Sequence, residues 1–173
     1  LVDYHKANGG VSRYKKFEYF ISEILREKVN KKLLENLVGE YSSIVKNQLM
    51  TCEITEGCFV DNISSYGDKR FVISGGDQSE LREIFAYREL FQFFNGGIFG
   101  SPRTKEDIVS ELLANNELAF PVLFIGDSKY DFNVSREYGF DFVFVSDWTE
   151  IEGWEQWVFE NKIAYVSSLS NLI

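Results

Sequence analysis

Little in these 173 residues belongs to the usual inventories of metal, redox or membrane chemistry. The two cysteines, Cys52 and Cys58, are too few and too far apart for a Cys-x-x-Cys redox or zinc motif. They read as small buried hydrophobes, as expected in a reducing cytoplasm. The one histidine, His5, shows no partner in the sequence and reads as a surface helix residue. No apolar run is long enough to span a bilayer, so no membrane partner is expected. Repeats and low-complexity segments are missing as well. Positive charge is in deficit: the formal net charge is −9, which argues against a large nucleic-acid footprint. Methionine is missing at position 1, where Leu1 stands in a polar helical pattern. We therefore expect the native chain to begin further upstream, and a signal peptide could lie there.

What is present is ample core material. The chain is 45% hydrophobic and 16% aromatic, enough for one α/β domain with a modest appendage. Apolar residues recur at helical spacing over residues 11–28, after the Asn8-Gly9-Gly10 turn signal, with Ser12 as a capping candidate. A second helix is expected over residues 31–47. Neither has a strand nearby, so residues 1–56 are expected to form a helical lobe. A short helix is expected over residues 58–66, ending at Gly67.

From there strands alternate with helices. Strands are expected at residues 71–74, 97–100, 122–126 and 142–145, and helices at 77–88, 104–115, 129–138 and 154–161. Residues 163–166 read as an edge strand. This alternation predicts a doubly wound parallel sheet over residues 57–173. Trp154 and Trp157, one helical turn apart, are expected to cover the core.

Ser74, Lys105, Asp127 and Asp131 all fall at a strand's carboxyl end or at the start of the next helix, where open α/β sheets place ligands. A hydroxyl, the N–H groups of Gly75 and Gly76, and an ammonium suit a phosphate; the two carboxylates suit its metal, Mg²⁺. The apolar run before Gly126 has the make-up of a strand buried on both faces. Each residue also has a plainer reading. Ser74 could cap a helix, although Asp77 with Glu80 already reads as a capping box. Lys105 is either functional or simply solvated. Ser128 with Asp131 is either a cap or part of a site. For Arg13 a solvent-facing charge is the simpler expectation.

Three of these features resemble the haloacid dehalogenase-like (HAD) hydrolases, most of which are Mg²⁺-dependent phosphatases. Ser74 in Val72-Ile-Ser-Gly-Gly76 matches the family's second motif, Lys105 its third, and Gly126-Asp127 with Asp131 its fourth. The wording around Asn8–Tyr14 and Phe99–Lys105 is similar to phosphoglycolate-phosphatase-like members, and the leading helices look like the family's cap. The resemblance implies a Rossmann-like core and hydrolysis of a small phosphorylated metabolite through an aspartyl phosphate. It further implies Ser74, Gly75 and Lys105 on the phosphate, Asp127 and Asp131 on Mg²⁺, and Lys105, Asp127 and Asp131 as catalytic groups. The family's first motif, Asp-x-Asp-Gly, is absent, and with it the nucleophile and the central strand. It is expected upstream of Leu1, which would leave the printed residues inactive by themselves. The competing readings are a phosphate-binding or regulatory domain that has lost its nucleophile, and a receiver-like signalling domain. The helical lobe and the motif order speak against the last.

Overall fold

In a computed structural model of the chain, residues 1–54 and 69–172 are described. The helix expected at 58–66, its terminal Gly67 and Cys58 lie outside them. The described residues fall into two compact units. The first comprises Val11–Ile54 and the run that ends at Ile108; the second comprises Val2–Gly10 and the run from Val109 onward.

The first unit begins with α2 (Arg13–Tyr19), capped by Ser12, whose hydroxyl accepts from the Tyr14 N–H at 3.3 Å. The expected long helix is shorter than its apolar spacing suggested. After Tyr19 it widens into a π-helical turn, Phe20–Ile24, and ends before Arg26, whose φ is 57°. The 21-residue α3 (Lys31–Thr51) starts at Asn30, whose side chain accepts from the Leu33 N–H. These two helices pack on each other, α3 also against the helix Gln78–Tyr87 and α2 against the strand Phe71–Asp77. Strand β1 (Phe71–Asp77) leads into α4 (Gln78–Tyr87), and β2 (Gly97–Ser101) into α5 (Lys105–Ala114). The two strands pair in parallel, Phe71 opposite Gly97, Val72 opposite Ile98 and Ile73 opposite Phe99. Ile21, Val38, Ile84, Ile98 and Ile108 are buried apolar residues here.

The second unit starts with α1 (Val2–Ala7). His5 is the surface helix residue expected, and it has a partner that the sequence did not show: its Nε2 lies 3.3 Å from a Glu150 carboxylate oxygen. The sheet of this unit has the order β3-β4-β5, all parallel, from β3 (Leu123–Gly126), β4 (Asp141–Val145) and β5 (Ala164–Val166). Helix α6 (Lys129–Glu137) links the first two strands and α7 (Trp154–Asn161) the last two. Strand β5 is the edge strand the sequence suggested. Trp154 and Trp157 pack on Phe144 with ring centroids 5.7 and 5.4 Å apart, beside Val158 and Ile163. Aromatic pairs at such spacing add about 0.5–1.5 kcal/mol to the area they bury.

One expectation fails in β3. Instead of being buried on both faces, Leu123 and Ile125 remain 43% and 39% exposed. Among the described residues β3 pairs only with β4, so one edge of the strand carries no ladder. No described helix is long and apolar enough to cross a membrane.

Candidate active site

Strand β1 does not run smoothly to its end. The step from Ile73 to Asp77 is matched on β2 only by the step from Phe99 to Ser101, so Ser74, Gly75 and Gly76 bulge out of the ladder. Bulges of this kind re-aim backbone groups and recur beside active sites. The Ser74 hydroxyl accepts from the Gly76 N–H at 3.1 Å, a tight local loop that holds it at the strand's carboxyl end. Opposite, Gly100 has to be glycine, because a Cβ there would lie 2.4 Å from the Gly76 carbonyl oxygen.

The bulge is tied down from two sides. Ser101, 1% exposed, donates to the Gly75 carbonyl at 2.8 Å, and its oxygen lies 2.7 Å from that of Ser12. With the Ser101 proton on Gly75, the Ser12 hydroxyl must donate to Ser101 while accepting from Tyr14. A single hydrogen-bond chain thus runs from the start of α2 to the bulge, with every member satisfied. Asp77 caps α4, its Oδ1 accepting from the Ser79 and Glu80 N–H groups at 2.9 and 3.1 Å and from the Ser79 hydroxyl. Its Oδ2 accepts from the Tyr14 hydroxyl at 2.9 Å. Burial raises the Asp77 pKa, but these hydrogen bonds outweigh it and hold the carboxyl below its ordinary value. Burial, and then the Asp77 carboxylate, push the Tyr14 phenol up.

The capping box expected at Asp77 and Glu80 is only half made. Instead of reaching back to the backbone, Glu80 accepts from Arg13 Nη1 at 2.6 Å. Arg13 is not the solvent-facing charge the sequence suggested. Its side chain is 13% exposed, it also donates to Ser42 at 2.8 Å, and it lies over the Tyr41 ring. A buried glutamate compels this arrangement, since a charge removed from water needs a partner. The second oxygen of Glu80, Oε1, is buried with no hydrogen-bond partner among the described residues.

Lys105 begins α5, four residues after β2 ends, on the same carboxyl edge of the β1–β2 sheet as Ser74 and Gly75. It is 6% exposed, so the solvated alternative is excluded. The helix start is closed reciprocally by its neighbours. The Asp107 N–H donates to the Thr104 hydroxyl at 3.1 Å, and the Thr104 N–H to Asp107 at 3.3 Å.

Asp127 and Asp131 belong to the second unit. Asp127 follows the last residue of β3 and is half-buried; its backbone carbonyl accepts from the Thr149 hydroxyl at 2.7 Å. Asp131, 3% exposed, lies in the first turn of α6. The Ser128 hydroxyl accepts from the Asp131 N–H at 3.1 Å and donates to its Oδ2 at 2.6 Å, so the capping reading and the carboxylate placement coexist. Gly126 makes this possible: a Cβ there would sit 2.4 Å from that of Asp131 and 2.7 Å from its Oδ2. The glycine of the Gly-Asp pair therefore makes room for the second carboxylate. No cluster of three or more metal-ligating side chains occurs among the described residues. Two carboxylates at a strand end nevertheless fit Mg²⁺, which keeps several waters and takes one or two protein carboxylates together with substrate phosphate.

The structure thus gathers Ser74, Gly75 and Lys105 at one sheet edge, and Asp127 with Asp131 at the end of β3. Sequence reasoning missed Tyr14, Ser101 and Thr149, and it read Ser12 and Glu80 only as local caps, without their tertiary partners.

Parallel strands linked by helices, with the candidate residues at strand ends, define an α/β fold of Rossmann type, the fold of the haloacid dehalogenase-like hydrolases. Two solved structures illustrate it. A phosphonoacetaldehyde hydrolase-like protein from Oleispira antarctica matches 94% of this chain and 74% of its own, with a TM-score of 0.66 at 13% identity. A haloacid dehalogenase-like family hydrolase from Streptococcus pneumoniae matches 86% of this chain and 72% of its own, with a TM-score of 0.61 at 21% identity. At these identities the likeness is one of fold. No protein-family profile matches the chain, and no curated protein matches its sequence.

Proposed function

We infer that this chain supplies the phosphate- and metal-binding residues of a Mg²⁺-dependent phosphatase acting on a small phosphorylated metabolite of the sugar-phosphate or phosphoglycolate type. The observation that carries this reading is the bulged Ser74-Gly75-Gly76 loop with a buried lysine, Lys105, on the same sheet edge. The Ser74 hydroxyl and the Gly75 N–H bind phosphoryl oxygens, and the Lys105 ammonium offsets charge that builds on them in transfer. Asp127 holds the cation, and Asp131, fixed by Ser128, supports it. When bound, Mg²⁺ polarises the phosphoryl group and screens its charge from the attacking carboxylate. The attack itself needs an aspartate, with water then hydrolysing the acyl phosphate. We assign that aspartate to an Asp-x-Asp-Gly motif upstream of Leu1, since no such run occurs in the 173 residues. Helices α2 and α3 exclude water and select the leaving group.

The missing motif also favours a second reading, a phosphate-binding or regulatory domain without catalysis. Hydrolysis of p-nitrophenyl phosphate by the protein carrying its upstream residues, with and without Mg²⁺, separates the two. The phosphatase requires Mg²⁺-dependent turnover that Asp127→Asn abolishes while circular dichroism stays native. Turnover near wild type in that variant removes Asp127 from the metal site. Mg²⁺-dependent phosphate binding without turnover leaves the second reading.

A further inference from the structure

Three consecutive residues at the start of α2 each reach a different point of the β1–β2 edge through a polar contact. Ser12 meets Ser101, Arg13 meets Glu80, and Tyr14 meets Asp77. Two of the three contacts are complete. The Ser12–Ser101 pair continues to the Gly75 carbonyl, and Asp77 uses both oxygens. The middle one is not. Among the described residues Glu80, 7% exposed, bonds through Oε2 alone, leaving Oε1 enclosed without a donor. Arg13 could satisfy both oxygens as a two-pronged fork, yet it divides a single nitrogen, Nη1, between Glu80 and Ser42. An unpaired buried carboxylate oxygen is costly to keep, and the unused acceptor points to a donor from outside the chain.

Glu80 lies in the first turn of α4, directly after the Ser74–Asp77 bulge. The bulge that would hold the phosphate and the carboxylate with the unused oxygen therefore lie at one strand–helix junction. We propose that Glu80, held by Arg13, reads a hydroxyl of the leaving group through Oε1, so that hydroxylated phosphate esters are preferred over plain alkyl ones. This rests on the phosphate-binding role of the bulge given above. Oε1 is reached through a local movement of the Glu80 side chain, with Oε2 still held by Arg13.

The test is calorimetric titration of the 173-residue chain, in Mg²⁺, with inorganic phosphate, propyl phosphate and glycerol phosphate. The two esters have the same carbon skeleton and differ in hydroxyls. A hydrogen bond to a charged acceptor predicts that glycerol phosphate binds about ten-fold or more tightly than propyl phosphate. In Glu80→Gln that ratio falls to near one. Equal affinity of the two esters for the wild-type chain overturns the inference but leaves the phosphate reading standing, and this comparison needs no variant to fold. A preference retained in Glu80→Gln overturns it too, as does an equal loss for both esters, which marks Glu80 as structural. Binding of none of the three phosphates refutes the phosphate-binding reading and this inference with it.

Discussion

Arg13→Met separates a buried ion pair from a decorative one. The side chains of Arg13 and Glu80 are 13% and 7% exposed, and Glu80 already has one oxygen without a partner. Removing the guanidinium leaves a buried carboxylate with no hydrogen bond from any described side chain. Breaking such a pair costs about 3–5 kcal/mol, against about 0–1 kcal/mol for an exposed one. Methionine fills much of the arginine's volume, so the loss reports charge more than cavity. Removing both charges, as Arg13→Met with Glu80→Leu, is expected to restore stability to within about 1–2 kcal/mol of wild type. The assay is equilibrium urea unfolding followed by far-ultraviolet circular dichroism, with both single variants and the double. Fluorescence is a poorer choice, because Trp154 and Trp157 belong to the other unit. The reasoning is refuted if Arg13→Met costs less than about 1 kcal/mol, or if the single losses simply add in the double variant.

Gly126→Ala is expected to displace Asp131, whose Cβ would lie 2.4 Å from the new methyl group. Overpacking of this kind costs about 1–3 kcal/mol, and Mg²⁺ affinity measured by titration should fall with it. Stability should also depend on pH through the Tyr14–Asp77 bond. The Asp77 pKa is lowered in the fold, so its contribution is present above the unfolded value of about 3.9 and is lost as pH falls through the folded one. The Tyr14 pKa is raised, so its contribution is present below about 10 and is lost as pH rises through the folded value. Urea midpoints across pH should fall at both ends for the wild type. Tyr14→Phe should lose the alkaline limb that Tyr14 causes, and an unchanged profile would contradict the assignment.

The alternation of strands and helices was legible because buried strands and amphipathic helices leave distinct periods in the sequence. Helix α7 begins at Trp154 and ends at Asn161, where the pattern places it. The bulge was half legible: Gly75-Gly76 signals a backbone that leaves the ladder, but the register with β2 depends on a strand over twenty residues away. Arg13 was misjudged because its partner is remote. Nothing local distinguishes an arginine that meets a glutamate 67 positions on from one that faces water. Glu80 was misjudged for the converse reason, since a good local cap partner hides a carboxylate whose real use is tertiary. Strand β3 was expected to be buried because Val122–Ile125 is apolar throughout. Its exposure reflects the absence of a second neighbouring strand among the described residues, which composition does not encode.

The phosphate reading is most directly tested by soaking crystals of the chain with tungstate, a heavy phosphate mimic. The account predicts anion density within hydrogen-bonding reach of the Ser74 hydroxyl, the Gly75 N–H and the Lys105 ammonium, lost in Lys105→Ala. Density only at other surfaces, or unaltered density in that variant, would contradict it.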